Sequence, residues 1–178
     1  MSRFMVVYES MFGNTRKVAE SVADGVRAGT ESDVTLVEVG SAPAVLPPLD
    51  LLVVGGPTHA FGLSRSSTRE DAARKSGRDI ESRTGLREWL EALDPAGAAP
   101  ATAAFDTRVN HPRVPGSAAK KAAKRLRRLG LRPALEPESF WVHGTEGPLL
   151  DGELERARAW GRQVADVLAR HGTSPSAR

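Results

Sequence analysis

Short apolar runs alternate with amphipathic helical segments along this chain, and that alternation limits the folds open to it. Two runs, Phe4 to Tyr8 and Leu51 to Val54, are almost wholly apolar, which is typical of strands buried on both faces. Further strands are predicted at Val34 to Val39, Ala101 to Phe105 and Phe140 to Val142. Because helical patterns separate successive strands, the sequence predicts an α/β fold, a doubly wound five-stranded parallel sheet with right-handed crossovers and helices on both faces.

Four helices are predicted around this sheet. The first opens near Asn14, the second follows a candidate cap at Thr84, the third carries a cluster of cations, and the last is expected to be capped by Asp151. Apolar residues at three- and four-residue spacing are predicted to face the core. They are Val18, Ala19, Val22 and Val26, then Leu86, Trp89, Leu90 and Leu93, then Ala119, Ala122, Ala123, Leu126 and Leu129, and finally Leu154, Ala157, Gly161, Val164 and Leu168.

The length of 178 residues fits one domain, which we expect to span residues 1–172 without internal repeats. The polar stretch at 62–79 is longer than an ordinary connection, and it is either a lid or a surface insertion. Residues 173–178 have no apolar anchor and are predicted to form a disordered tail. No apolar stretch is long enough for a membrane span, and no signal peptide is evident, so a cytoplasmic location is expected.

The chain contains no cysteine, which excludes disulfides, thiol catalysis and iron–sulfur clusters. A redox role would therefore depend on a bound organic cofactor. His111, His143 and His171 show no metal-ligand spacing, so no metal site is predicted.

The loop between the first strand and the first helix has the composition of a phosphate-binding loop. Ser10 and Thr15 supply hydroxyl donors, Gly13 lets the backbone approach an anion, and the first N–H groups of the helix point toward the loop. No Gly-Lys-Ser or Gly-x-Gly-x-x-Gly pattern is present, which disfavours a nucleotide triphosphatase or a dinucleotide site. The alternative is that Ser10 or Asn14 merely caps the helix.

Two other loops are expected to meet this one at the carboxyl edge of the sheet, where such folds bind ligands. The loop from Gly56 to Gly62 offers His59 and Phe61 for stacking on a flat ring, unless Phe61 packs inward. The loop from Asp106 to Gly116 carries Arg108, whose charge would stabilise a ring that gains negative charge. Asp106 or Glu146 is the alternative partner for that guanidinium.

Eight residues around the first loop resemble the flavodoxin signature, and they are Val6, Val7, Tyr8, Ser10, Gly13, Thr15, Ala19 and Val22. Gly56-Pro57-Thr58 followed by Phe61-Gly62 is similar to the second flavin loop of flavodoxin-like quinone reductases of the tryptophan-repressor-binding type. The resemblance runs from about Ser2 to His171. It implies a flavodoxin-like fold with strand order 2-1-3-4-5, and flavin mononucleotide (FMN) as cofactor.

By that resemblance, fourteen residues would bind FMN. Phosphate would be held by Ser10, Met11, Phe12, Gly13, Asn14 and Thr15. The isoalloxazine ring would contact Pro57, Thr58, His59, Phe61 and Gly62, with Asp106, Thr107 and Arg108 on its other side.

The chain departs from the flavodoxin pattern in three respects. Phe12 stands where many flavodoxins have a hydroxyl residue, although Met11-Phe12-Gly13-Asn14-Thr15 resembles the flavodoxin module of flavodiiron proteins. The third loop has neither a stacking tyrosine nor a triple glycine. Flavodoxins are strongly acidic around the flavin, whereas this chain has a net charge of +3.

Three functions follow as hypotheses. The first is an FMN-binding electron-transfer protein with no catalytic residue of its own, which needs a redox partner protein or a small-molecule electron acceptor. The second is an NAD(P)H-dependent quinone or small-molecule reductase, an FMN-dependent oxidoreductase in which Arg108, His59 or the basic helix steers an anionic substrate. The third is a binding or regulatory module that keeps the fold without the flavin.

The cations that follow the third loop are expected on one wet face of a helix, where they are simply solvated or form a docking patch for an acidic redox partner or an anionic substrate. Nucleic acid is not expected as a partner, because no aromatic residues interleave with the charges. A membrane is not expected either, because no apolar stretch is long enough to span one. The cations are Lys120, Lys121, Lys124, Arg125, Arg127, Arg128 and Arg132.

Overall fold

The computed structural model describes residues 1–59, 61–111 and 115–172, so the predicted tail at 173–178 lies outside the described residues. The strands are β1 (Ser2–Tyr8), β2 (Ser32–Glu38), β3 (Leu51–Pro57), β4 (Ala101–Val109), β5 (Arg132–Pro133) and β6 (Glu138–Val142). The helices are α1 (Asn14–Gly29), α2 (Ser66–Ser76), α3 (Leu86–Ala92), α4 (Ala118–Arg128) and α5 (Glu153–Gly172).

The strands form one sheet in which every pairing between them is parallel. Their order is β2-β1-β3-β4, with β5 and β6 both paired to β4 at the fifth position. Arg132 of β5 lies opposite Ala101, and Glu138 of β6 lies opposite Phe105, so residues 134–137 break this edge strand in two. The predicted doubly wound sheet and the order 2-1-3-4-5 are confirmed.

Alternate residues of the central strands face two helical layers. Phe4 and Val6 of β1 pack with the buried residues of α1 and α5, whereas Met5 and Val7 pack with those of α3 and α4. Full burial of such side chains contributes roughly 1.5 to 3 kcal/mol each. The sheet is therefore covered on both faces, which leaves the loops at its carboxyl edge to form a site.

The layer of α1 and α5 includes a cluster of three aromatic rings. Phe105, Phe140 and Trp160 meet edge to face, with ring centroids 6.0 to 6.2 Å apart. A Cβ on Gly55 of β3 would overlap the Phe105 ring, so this strand glycine serves the packing of that ring. 

Two glycines let α1 and α5 cross at close range. A Cβ on Gly161 of α5 would overlap the carbonyl of Val22, and a Cβ on Gly25 of α1 would overlap the carbonyl of Arg158. Backbone therefore lies directly against backbone at this crossing. None of the helices in the described ranges combines the length and the apolar character that crossing a bilayer requires.

Several predicted boundaries are wrong. β4 continues to Val109, so Asp106, Thr107 and Arg108 belong to the strand and not to the loop after it. The cap of α3 is Gly85 and not Thr84, because the Glu9 carboxylate already accepts the first N–H of the helix, that of Leu86, at 2.7 Å.

The last helix also departs from its prediction. α5 begins at Glu153, two residues after Asp151. Leu154 is exposed, because it lies in the first turn of α5, ahead of Ala157, the first apolar residue of the helix that reaches the core.

The polar stretch at 62–79 contains α2, a helix that the sequence did not predict. A single residue of α2, Arg69, is buried, and its guanidinium pairs with Glu88 of α3 at 2.9 Å. Polar contacts, and not an apolar stripe, therefore fix this helix to the rest of the molecule.

Candidate functional site

The helix that follows the first loop begins without a side-chain cap. Its N-cap residue is Gly13, which has a φ of 92° and so adopts a backbone conformation that favours glycine. Ser10 Oγ accepts from Gly13 N at 3.1 Å, and Asn14 Nδ2 donates to the carbonyl of Glu146 at 2.9 Å. Ser10 and Asn14 therefore order the loop and tie it to its neighbours, and neither side chain caps α1.

Five backbone donors on either side of Gly13 have no acceptor in the described part of the chain, and no side chain caps α1. Among the described residues these N–H groups have no protein acceptor, and they belong to Met11, Phe12, Asn14, Thr15 and Arg16. A cluster of free N–H groups at the positive end of a 16-residue helix is an anion-binding arrangement. We call these five N–H groups the amide cradle.

The hydroxyl of Thr15 connects this loop to the middle of the sheet. Thr15 is buried, and its Oγ1 lies 2.7 Å from Thr107 Oγ1 of β4. A hydroxyl has one O–H donor and two acceptor lone pairs. Each of these two hydroxyls can therefore form a hydrogen bond to a ligand in addition to the one that joins them.

A cavity of about 360 Å³ opens beside the amide cradle, within the usual range for small-molecule sites of roughly 300 to 1,000 Å³. Eight of the fourteen residues expected to bind cofactor line it. They are Met11, Phe12, Asn14, Thr15, Pro57, Thr58, His59 and Thr107. The structure thus brings together residues from all three loops that the sequence singled out.

Phe61 and Gly62, two further residues of the second loop, do not line this cavity. His59 and Gly62 exchange backbone hydrogen bonds of 2.7 and 2.8 Å, which makes a tight hairpin; Ala60 within it lies outside the described residues. Phe61 at the hairpin is 59% exposed, so it does not pack inward. A Cβ on Gly62 would collide with the Lys121 side chain, so that side chain covers the glycine.

Asp106 is a residue of β4 whose carboxylate accepts hydrogen bonds from the start of α4. It is fully buried, and its Oδ2 accepts hydrogen bonds from Ser117 Oγ at 2.6 Å, Ala119 N at 3.0 Å and Thr58 Oγ1 at 3.0 Å. Within the described part of the chain its Oδ1 has no partner. Asp106 thereby joins β4, the second loop and α4.

Arg108 lies farther along β4. Its guanidinium carbon stands 5.4 Å from the centre of the Trp141 ring of β6, which is a cation–π contact.

Seven cavity residues were not predicted from the sequence. Val109 and Val142 end β4 and β6, and Thr145 belongs to the turn after β6. That turn, Gly144-Thr145-Glu146-Gly147, follows the fifth predicted strand and so reaches the same edge of the sheet, a signal that was available in the sequence. The other four residues are on α2, and they are Thr68, Asp71, Ala72 and Lys75.

The segment between α2 and α3 is hydrogen-bonded to the first loop. Ser82 N donates to the Ser10 carbonyl at 2.9 Å, and Glu81 N donates to that of Met11 at 3.0 Å. Charged groups of both signs surround the amide cradle, because Glu81 pairs with Arg16 at 3.4 Å and Arg78 pairs with Glu146 at 3.4 Å. 

The buried carboxylate of Glu9, which was not predicted as a site residue, supports the same region through hydrogen bonds. Glu9 is fully buried, accepts a hydrogen bond from Ser64 Oγ, and connects through that hydroxyl to Arg69 Nη1 at 2.8 Å. Burial raises the pKa of Glu9 above its ordinary value, although the hydrogen bonds from Ser64 and Leu86 act in the opposite direction.

Burial has the opposite effect on the pKa of His59, which lines the cavity. It lowers the pKa of His59, and the positive charge of Arg69 adds to the shift, so both effects favour the neutral imidazole. A neutral imidazole offers one donor and one acceptor to a ligand.

The chemistry of these groups fits a phosphorylated ligand with a flat ring. The amide cradle and the Thr15 hydroxyl are donors suited to a phosphate, and the adjoining cavity is lined by Pro57 and His59 and by the apolar residues Met11, Val109 and Val142. Flavin mononucleotide has this construction.

Comparison with solved structures shows a flavodoxin-like fold. Flavodoxin 1 from Bacillus cereus matches with a TM-score of 0.69 at 19% identity, over 93% of this chain and 98% of that one. A flavodiiron core from Synechocystis gives 0.64 at 14% identity, over 96% of this chain and 36% of that one. A WrbA-like flavodoxin from Agrobacterium tumefaciens gives 0.58 at 21% identity, over 96% and 99%. No family model matches the sequence, and no curated protein matches it significantly.

Proposed function

We propose that this protein binds FMN at the carboxyl edge of its sheet and acts in electron transfer. The observation that carries the proposal is the amide cradle, in which five N–H groups without an acceptor among the described residues adjoin a cavity of about 360 Å³. The flavodoxin-like fold of the solved structures supports it.

In this proposal the phosphate lies against the amide cradle and the Thr15 hydroxyl. Hydrogen bonds to a charged group are worth about 1.5 to 3 kcal/mol each, so several of them outweigh the helix dipole, which contributes about 0.3 to 1 kcal/mol. Pro57, Thr58, His59 and Thr107, which line the cavity, would contact the ring. The bound flavin supplies the ability to accept and release electrons, and the protein binds and orients it.

The test is flavin titration of the purified protein, followed by absorbance and fluorescence quenching, with two variants of Thr15. Thr15→Val keeps the volume and deletes the hydroxyl, so FMN affinity is expected to fall by about 1 to 3 kcal/mol, roughly five- to 150-fold. Thr15→Ser keeps the hydroxyl and is the matched control, and its affinity should stay close to that of the wild type.

Riboflavin, which lacks the phosphate, gives a second control. The loss caused by Thr15→Val should vanish with riboflavin, since the phosphate is the only part of FMN that the Thr15 hydroxyl contacts in this proposal. Equal losses for both ligands would place the phosphate elsewhere, and a protein that stays colourless with excess FMN would favour the flavin-free regulatory module instead.

A second candidate function is the reduction of a small molecule by the same cofactor. It is favoured by α2, which adds the charged side chains Asp71 and Lys75 to the wall of the cavity and so provides groups that can hold a polar substrate. Steady-state oxidation of NAD(P)H with a quinone, measured on the FMN-loaded protein, separates the two functions. Turnover at ordinary enzyme rates of about 1 per second or more would favour the reductase.

A further inference from the structure

One region of this molecule carries positive charge without any acidic residue. Residues 107–135 contain nine of the 25 Lys and Arg residues and none of the 22 Asp and Glu residues, so the rest of the chain has a net charge of −6. Six of these cations lie on α4, whose alanines and Leu126 are buried, and the structure exposes or half-exposes all six. 

A groove of about 320 Å³ runs along this helix, and α3 forms its other wall. It is lined by Arg87, Lys121, Lys124, Arg125 and Arg128 together with Leu63, Leu90 and Glu91. We call this surface the cationic groove. 

Within the described part of the chain, the cations of the groove form no ion pairs. In residues 1–59, 61–111 and 115–172, no carboxylate lies within 4.0 Å of any of its five cationic side chains, whereas other surface arginines do form pairs, such as Arg27 with Asp24 at 3.0 Å. Charge on this surface therefore remains available to a partner.

Two of the guanidinium groups are already held in place. Arg87 donates to the carbonyls of Leu63 at 2.9 Å and Ser64 at 3.1 Å, and Arg125 donates to the carbonyl of Leu90 at 3.2 Å. Ordering long side chains costs roughly 0.5 to 1.5 kcal/mol each on binding, and these two have met much of that cost in the free protein.

The cationic groove adjoins the loop that lines the cofactor cavity. Leu63 of the groove is four residues beyond His59 of the cavity, and Lys121 covers Gly62 between them. Ala118 N, in the first turn of α4, donates to Thr58 Oγ1 at 2.9 Å. A molecule bound in the groove therefore contacts the loop at 57–63, and the exposed ring of Phe61 stands at the same loop.

We propose that the cationic groove is the docking surface for an acidic electron-transfer protein. This inference rests on the proposed function, because it places the partner beside the FMN cavity, where one electron leaves the reduced centre of the partner and one electron arrives on the flavin. The groove is unlike a nucleic-acid surface, since α4 carries no aromatic platform, and unlike a lipid surface, since α4 exposes no large apolar side chain.

The test uses an acidic [2Fe–2S] ferredoxin as the probe and measures its dissociation constant by calorimetry at about 50 mM and about 500 mM salt. The triple variant Lys121→Glu, Lys124→Glu and Arg128→Glu is expected to bind at least about tenfold more weakly at low salt, and high salt should weaken wild-type binding in the same way. A basic cytochrome should not bind the wild type.

The matched control reverses the charge at three exposed arginines that lie away from the groove. Its substitutions, Arg3→Glu, Arg158→Glu and Arg162→Glu, give the same change in net charge. Its binding should stay within about threefold of the wild type, since the local surface and not the net charge guides docking. Equal weakening in both triple variants, or no measurable binding of the ferredoxin to the wild type, would overturn the proposal.

Other occupants of the groove are outcomes of the same assay. Tighter binding of duplex DNA or of vesicles rich in phosphatidylserine than of the ferredoxin would overturn it, provided that the Lys121, Lys124 and Arg128 changes abolish that binding. Each titration is run with and without FMN, so docking that persists while FMN fails to bind would refute the proposed function and keep the surface. FMN binding with no effect of the triple variant would do the reverse.

Discussion

At the scale of single residues, the informative groups are buried polar side chains that hold the loops and not the ligand. Glu9 stands directly after β1 and receives hydrogen bonds from Ser64 and Leu86, which lie 55 and 77 positions away in the chain. Arg69 donates to Ser64 and pairs with Glu88. These five residues fix the segment that carries α2 and α3 against the base of the first loop.

The ionisation of Glu9 gives a testable pH dependence. Burial raises the pKa of Glu9 in the folded protein above the ordinary 4.5. In the pH range between the unfolded-state pKa and this higher folded-state pKa, the folded protein therefore binds more protons than the unfolded chain. The free energy of unfolding therefore falls with rising pH there. Glu9→Gln keeps an acceptor for Leu86 N and cannot ionise, so its stability relative to the wild type should increase from acidic to neutral pH in urea denaturation.

Glu88→Gln is the matched control with the opposite sign. Burial opposes the shift, but the hydrogen bonds from Arg69 lower the pKa of Glu88. The Glu88 carboxylate therefore stabilises the fold at pH values above its unfolded-state pKa, and this contribution is lost as pH falls through its folded-state pKa. Glu88→Gln should be less stable than the wild type at neutral pH, and the difference should shrink in acid. Parallel pH profiles for the two variants would contradict these assignments.

At the scale of elements, apolar periodicity predicted the elements that apolar burial holds in place. β1, α1, β3 and α4 lie where the sequence predicted them, because each buries an apolar face. α2 escaped prediction since it buries only Arg69 and depends on contacts with α3, residues that no local pattern connects. For the same reason three loops of the site could be predicted, whereas its wall of α2 side chains could not.

The crossing of α1 and α5 is an element-scale feature with a direct test. Gly161→Ala would drive a methyl group into the carbonyl of Val22, and backbone cannot turn aside as a side chain can, so we expect a loss of about 3 kcal/mol in the free energy of unfolding. Gly29→Ala is the graded control, because its methyl would meet the Ala165 methyl at 3.1 Å and the backbone of Arg162 at ordinary contact distances of 3.8 and 3.9 Å. It should change stability by less than about 1 kcal/mol in the same denaturation experiment.

At the scale of the whole molecule, charge is distributed very unevenly for a net value of +3. One helix and its flanking residues are purely basic, and the remainder is acidic on balance. Such separation orients a protein in the field of a charged partner before any contact is made, which raises association rates and makes them depend on salt.

Chromatography on a cation exchanger checks this asymmetry independently of any partner. The wild type should be retained at neutral pH. The α4 triple variant and the Arg3, Arg158 and Arg162 control both have a net charge lowered by six units, yet the control should elute at clearly higher salt because it keeps the basic surface intact. Coelution of the two variants would show that the resin senses net charge alone.

The divided edge strand of the sheet bears on how this protein behaves at high concentration. An approaching strand from another molecule would need one continuous ladder of donors and acceptors, but here it meets two short ones interrupted at 134–137. Pro133 and Pro137, which have no N–H to offer, stand at the two ends of that interruption. The side of the sheet farthest from β2 is therefore a poor template for the growth of intermolecular β-structure.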